Sequence, residues 1–187
     1  MTEHPVETAP ACATRSEPST CSRRAAGGIV RAEQGEHLLT GPLGAQLLHA
    51  TTGPGGGLAL VVHTLAPRAL GAPVHTHEHE DEYSYVLEGE VGMQLGDVEE
   101  VARPGDLVTK PRGVPHAFWN ASDAPARLLE VITPAGFERY FAGLAELFAS
   151  GPIPHPVALS ELAAGYGLDV DPASVPRLAQ AHRLALA

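Results

Sequence analysis

Basic residues are scarce in this chain. It has 12 Lys plus Arg against 22 Asp plus Glu in 187 residues, a formal net charge of -10, and the basic residues are scattered. A phosphate backbone is held by clustered Lys and Arg, so this charge argues against nucleic acid as a partner. Long apolar runs are missing too. No segment approaches the roughly 20 apolar residues of a membrane span, and Arg23-Arg24 is followed by Ala-Ala-Gly-Gly, where a twin-arginine signal needs an apolar stretch. The expectation is a cytoplasmic protein with no membrane partner. Cysteine occurs twice, at Cys12 and Cys21, in an opening segment rich in Ala, Thr, Ser, Pro and Glu. Neither thiol has a ligand-type neighbour, which argues against a disulfide framework or a zinc site and for free thiols in a disordered tail over residues 1–27.

Glycine and proline, by contrast, are plentiful, with 20 Gly and 17 Pro beside a hydrophobic fraction of 44%. Many turns between short strands, and hence an all-β body, are the expectation, and the length suits one domain with no internal repeat. Segments 29–33, 36–40 and 45–50 read as early strands between glycine turns, and 58–65 as a central strand. Gly96-Asp97 marks a hairpin between 91–95 and 97–103. Segments 107–110 and 126–133 are further strands, the last ending at Pro134. The pattern then turns helical. Phe137, Tyr140, Phe141, Leu144, Leu147 and Phe148 fall at helical spacing, a second helix capped by Ser160 comes next, and a third starts near Val175. An aromatic stripe of this kind is ordinarily core packing; here it is also a candidate wall of a pocket.

The chemistry concentrates between Gly71 and Asn120. His75 and His77 are two apart, so on a strand both side chains leave one face. Glu82 follows an acidic turn and opens a Tyr/Val/Leu run that favours strand, from which it faces the two histidines as a neighbour. His116, between Pro115 and Phe118-Trp119, supplies a fourth group from a third strand. Taken singly, a His-rich stretch is most often a solvated loop, and a lone His in an apolar strand a satisfied core residue. Together, three imidazoles and a carboxylate form an N/O donor set for a divalent first-row metal. His79, inside the acidic turn, reads as exposed. His63 on the central strand is either a core histidine with a backbone partner or a pocket residue. Phe118 shares the parity of His116 and lines the same interior, while Trp119 points into the layer behind.

These residues resemble the two motifs of the cupin superfamily. His75, His77, Glu82 and Gly89 fill the first, and Gly105, Pro111, Gly113, His116 and Asn120 fill the second, with Gly71 closer to His75 than is usual. The segment Thr-Pro-Ala-Gly-Phe-Glu-Arg-Tyr-Phe and a later Tyr-Gly make residues 28–170 similar to single-domain bacterial cupins of the quercetin dioxygenase-like group. The resemblance implies a jelly-roll barrel over 28–134 with a helical extension over 135–187 packed on it. It also implies one metal per chain, Fe, Ni, Mn or Co with Zn also open, held by His75, His77, Glu82 and His116. Glu82 would double as general base, and the substrate would be a small aromatic or enolic molecule near His63 and Phe118. A dioxygenase is the expected activity; an isomerase, cyclase or lyase and a non-catalytic binding module are the alternatives. Asn120 and the motif glycines read as turn residues. Exposed sheet edges suggest a homodimer in which an early strand, within 29–40, crosses to the partner.

Overall fold

The computed structural model describes residues 28–54, 56–149 and 155–185. In chain order its strands are β1 (Glu36–Leu39), β2 (Leu43–Thr51), β3 (Leu58–Leu65), β4 (Leu70–His77), β5 (Asp81–Glu88), β6 (Val91–Leu95), β7 (Val98–Ala102), β8 (Leu107–Lys110), β9 (His116–Trp119), β10 (Ala126–Thr133) and β11 (Leu168–Val170). The helices are α1 (Arg139–Ala149), α2 (Pro156–Gly165) and α3 (Ser174–His182). Two antiparallel sheets face each other, one in the order β1-β2-β3-β10-β5-β8 and the other β11-β4-β9-β6-β7. This is the all-β jelly roll with C-terminal helices that the sequence led us to expect. Among the described residues no helix is long and apolar enough to cross a membrane.

Period-two alternation decides which side chains enter the barrel. On β10, Ala126, Leu128, Glu130 and Ile132 are buried, while Arg127 is exposed and Leu129 and Val131 are half-buried. Facing rows fill two core clusters. One gathers Leu47, Val61, Ile132, Phe137 and Phe141 at the helical end of the barrel, and the other gathers Leu65, Val86, Met93, Phe118 and Leu128 toward the opposite end. Trp119 points the other way, as its parity requires, and packs with Leu178, Ala179 and Leu184 behind the sheet. At the rim, Asn120 is buried. Its amide donates to the carbonyls of Ala66 and Ala124, and its Oδ1 accepts from Ser122. It pins a turn and faces no site, in keeping with its sequence reading.

Several expectations need correction. Segment 29–33 is not a strand: its start has no partner strand, and Ala32–Gln34 forms a 3-10 turn. The second helix begins at Pro156, not at a Ser160 cap. Proline suits the first helical position, and the His155 ring accepts from the Val157 amide. The extension after 135 is not only helical, because β11 adds an edge strand to β4, with Leu168 opposite His77 and Val170 opposite His75. Within the chain, β1 pairs with β2, Glu36 opposite Leu47, which leaves the expected homodimer untouched. The readings of a disordered tail and of Cys12 and Cys21 lie outside the described residues.

Candidate metal centre

The four expected ligands converge. His75 and His77 come from β4 and His116 from β9, where His75 and His116 are direct cross-strand partners. Glu82 does not come from a neighbouring strand as expected. Its strand, β5, belongs to the other sheet, so the carboxylate reaches the three imidazoles across the barrel. All four side chains are buried, and one donor atom from each lies within 4.8 Å of the others.

Hydrogen bonds on the far side of each ring set its tautomer. The Nδ1–H of His75 donates to the Pro73 carbonyl (2.8 Å), and that of His116 to the Val114 carbonyl (2.9 Å). His77 Nδ1 lies 3.3 Å from the Glu80 carboxylate. A carbonyl or carboxylate only accepts, so each Nδ1 carries the proton and each Nε2 turns a lone pair inward. Burial, followed by the neighbouring imidazoles, keeps His75 well below the usual histidine range, and burial brings His77 down to about 4, so both rings are neutral. The Nε2 atoms of His77 and His116 are buried without a hydrogen bond, and the Glu82 carboxylate stands 3.6 and 3.3 Å from them. Lone pairs of imidazole and carboxylate face one another, an arrangement that a bound cation stabilises, and the residues therefore fit a divalent metal.

Residues 61–132 match a family model described as a cupin domain. The chain contains a cupin domain. It is 27% identical over 141 residues to quercetin 2,3-dioxygenase of Bacillus subtilis (strain 168), a distant homology that covers 75% of this chain and 41% of that one. The chain thus spans less than half the length of that relative. Among solved structures it is similar to an RmlC-like cupin from Shewanella frigidimarina NCIMB 400, with a TM-score of 0.50 and 26% identity over 59% of this chain and 93% of that one. It also shares its fold with KdgF from Halomonas sp., at a TM-score of 0.52 and 19% identity over 59% of this chain and 96% of that one.

Around the four ligands this cupin holds a polar network that the motifs do not contain. Lys110 is buried and donates to Glu82 Oε2 (2.8 Å) and to Glu130 Oε2 (2.7 Å), which also accepts from Ser84 (2.8 Å). Glu130 Oε1 is buried with no hydrogen bond. Burial, the largest single influence, would raise Glu82, but the Lys110 ammonium together with the His116 and His77 imidazoles outweighs it and holds the carboxyl well below the usual range. Glu130 is pushed up to about 7, first by burial and then by Glu82, against the pull of Lys110. Strand parity was the available signal. Glu130 sits between Leu128 and Ile132 on the apolar side of β10, and Lys110 shares the inward side of β8 with Val108.

The two expected pocket residues lie on the inner surface. His63 is buried and donates from Nδ1 to the Gly44 carbonyl (3.2 Å), the backbone partner of a core histidine; burial lowers it to about 4. Phe118 is 5.9 Å from His63 ring to ring and lies under the Lys110 ammonium at 5.5 Å. Phe137, just before α1, packs edge-on against His77 at 4.3 Å, so the aromatic stripe does wall the site. On the other side of Phe137 is a surface cleft of about 390 Å³ that Glu80, Tyr166 and Gly167 help to line. His79 is exposed, as read; the residue of that turn that reaches a ligand is Glu80.

Proposed function

We propose that this cupin is a metal-dependent dioxygenase acting on a small enolic or hydroxylated aromatic substrate. The observation that carries the reading is the set of three inward Nε2 lone pairs facing Glu82 across the barrel. A bound divalent ion would serve as Lewis acid and as template for a chelating substrate oxygen. His75, His77 and His116 would hold it with neutral rings, and Lys110 would keep Glu82 ionised for the same task. The charge count supports the substrate class. One carboxylate beneath a divalent ion leaves a positive charge, Lys110 and ionised Glu130 offset each other, and a singly deprotonated hydroxyl supplies what is missing. Phe118 and Phe137 offer apolar ring faces beside the ligands. The distant homology to quercetin 2,3-dioxygenase points the same way.

One observation favours a second reading, a metal-dependent isomerase or lyase. Glu130 Oε1 is a buried acceptor without a partner, placed beside an ammonium and a hydroxyl. It is a candidate acceptor for a substrate hydroxyl proton, and proton relocation does not need oxygen. The expected role of Glu82 as general base then passes to Glu130, since Glu82 is committed to Lys110 and the ligand cluster.

The test is elemental analysis of untagged protein purified without chelator, beside His75→Ala and His116→Ala. We expect near one equivalent of Fe, Ni, Mn or Co in the unmodified protein and loss in both variants, followed by oxygen uptake on a panel of flavonols and other enolic aromatics. Turnover without oxygen uptake selects the isomerase or lyase. No metal after anaerobic reconstitution ends both readings.

A further inference from the structure

A lysine is seldom buried, and the sheet explains how this one is. Lys110 on β8 is the direct cross-strand partner of Glu82 on β5, and Glu130 comes from β10 on the other side of β5. Lys110 is 1% exposed, so its ammonium has to meet anions inside the barrel. It meets two, Glu82 Oε2 and Glu130 Oε2, and the Ser84 hydroxyl steadies the second by donating to it. The Phe118 ring lies 5.5 Å from the ammonium and attracts it through its negative face. Two carboxylates and a ring thus fix the position of the charge.

That position bears on how Glu82 meets a metal. The carboxylate turns both oxygens toward the imidazoles, with Oε1 3.6 Å from His77 Nε2 and Oε2 3.3 Å from His116 Nε2. By direction alone either oxygen, or both together, can reach an ion held by those nitrogens. Lys110 makes the two unequal. It donates to Oε2 at 2.8 Å, and a short charge-assisted hydrogen bond of this kind competes with a metal for the lone pairs of the oxygen that accepts it. Carboxylates ligate with one oxygen or with both. An octahedral ion on three imidazoles and one carboxylate oxygen keeps two positions open, whereas a chelating carboxylate closes one of them.

We propose, on the metal-dependent reading above, that Lys110 is a positioning residue: by engaging Oε2 it limits Glu82 to one oxygen toward the ion and keeps two positions for an incoming ligand. Glu130 and Ser84 serve by anchoring the ammonium. The ligand class this favours is a chelating pair of oxygens, as in a hydroxamate or a vicinal hydroxyketone, over a single donor.

The test loads the full chain with Co(II) and titrates it with acetohydroxamate, which has two oxygen donors, and with azide, which binds through one atom, reading the visible absorption of the ion. Lys110→Met with Glu130→Gln removes the ammonium without stranding Glu130, and Glu130→Gln alone is the control that keeps the ammonium. We expect the ratio of acetohydroxamate to azide affinity to be alike in the unmodified protein and the control. In the double variant it should fall roughly tenfold or more, since a second donor adds affinity only where it can engage together with the first. A general loosening of the site weakens both probes together, so an unchanged ratio overturns the proposal. Should the double variant fail to fold, a crystal structure of the unmodified protein with Co(II) decides. A single Glu82 oxygen on the ion, with Lys110 still donating to Oε2, upholds the proposal, and both oxygens on the ion overturn it. Failure of the unmodified protein to take up Co(II) ends the metal reading and this proposal with it, whereas uptake with an unchanged ratio ends this proposal alone.

Discussion

At the scale of single residues, Lys110 does most to shape this interior. Among the described residues it is the one buried cation, and it lies beside two buried carboxylates, Glu82 and Glu130. Replacing it by Met keeps the apolar stem and removes the charge, which strands two carboxylates in a medium that solvates them poorly. Losing one partner of a buried ion pair costs about 3–5 kcal/mol. We expect Lys110→Met to lower the unfolding free energy measured in urea by that order, and Lys110→Met with Glu130→Gln to recover part of it. Equal stability of the single variant and the unmodified protein would show that Lys110 is not needed as counter-charge. The four ligands could be read from residue type and spacing because a metal site demands them. Lys110, Glu130 and Glu80 could not be found that way, since Lys and Glu in a sequence are ordinary surface residues until strand parity and the opposite sheet place them inside.

At the scale of elements, the site depends on how β9 is held between β4 and β6. Its residues His116 and Phe118 face the barrel while Trp119 faces α3, and both faces are packed. Gly92 on β6 lies opposite Trp119, and a Cβ there would overlap the indole ring. The ring has nowhere to go, for it stacks on His182 at 4.1 Å. Overpacking of this kind typically costs about 1–3 kcal/mol, so Gly92→Ala should unfold at lower urea while Gly96→Ala, in the hairpin turn, reports only the turn's own backbone preference. Gly71 answers to a similar constraint: a Cβ on it would strike the Phe118 ring. Its place near His75, unusual for the motif, therefore has a packing reason. The hairpin at Gly96 and the central strand 58–65 were legible from turn chemistry and apolar length. The strand β11 was not, because three residues after a helix show no period of their own and are extended only because the free edge of β4 accepts them.

For the whole molecule, acid should be destabilising. His63 and His77 titrate near 4 when folded and near 6.5 when unfolded, and His75 is also lowered well below its usual range. Between those values the unfolded chain binds protons that the native one refuses, so stability is full above about 6.5 and falls as the pH drops toward 4. Glu130, raised from 4.5 to about 7, acts in the opposite direction and offsets one imidazole. A net one or two protons gives a loss on the order of 1–3 kcal/mol per pH unit. Urea titrations of metal-free protein between those values check this, and His63→Gln should flatten the slope; a stability independent of pH would contradict the buried neutral histidines. The sequence by itself determined the donor set, the β character of the body and the helical character of the C-terminal segment, because these rest on residue type, spacing and local periodicity. Tertiary structure alone decided that Glu82 answers the histidines from the opposite sheet and that a lysine and a second glutamate close the interior. Those are contacts between residues far apart in the chain, and local preference carries no information about which distant strand a side chain will meet.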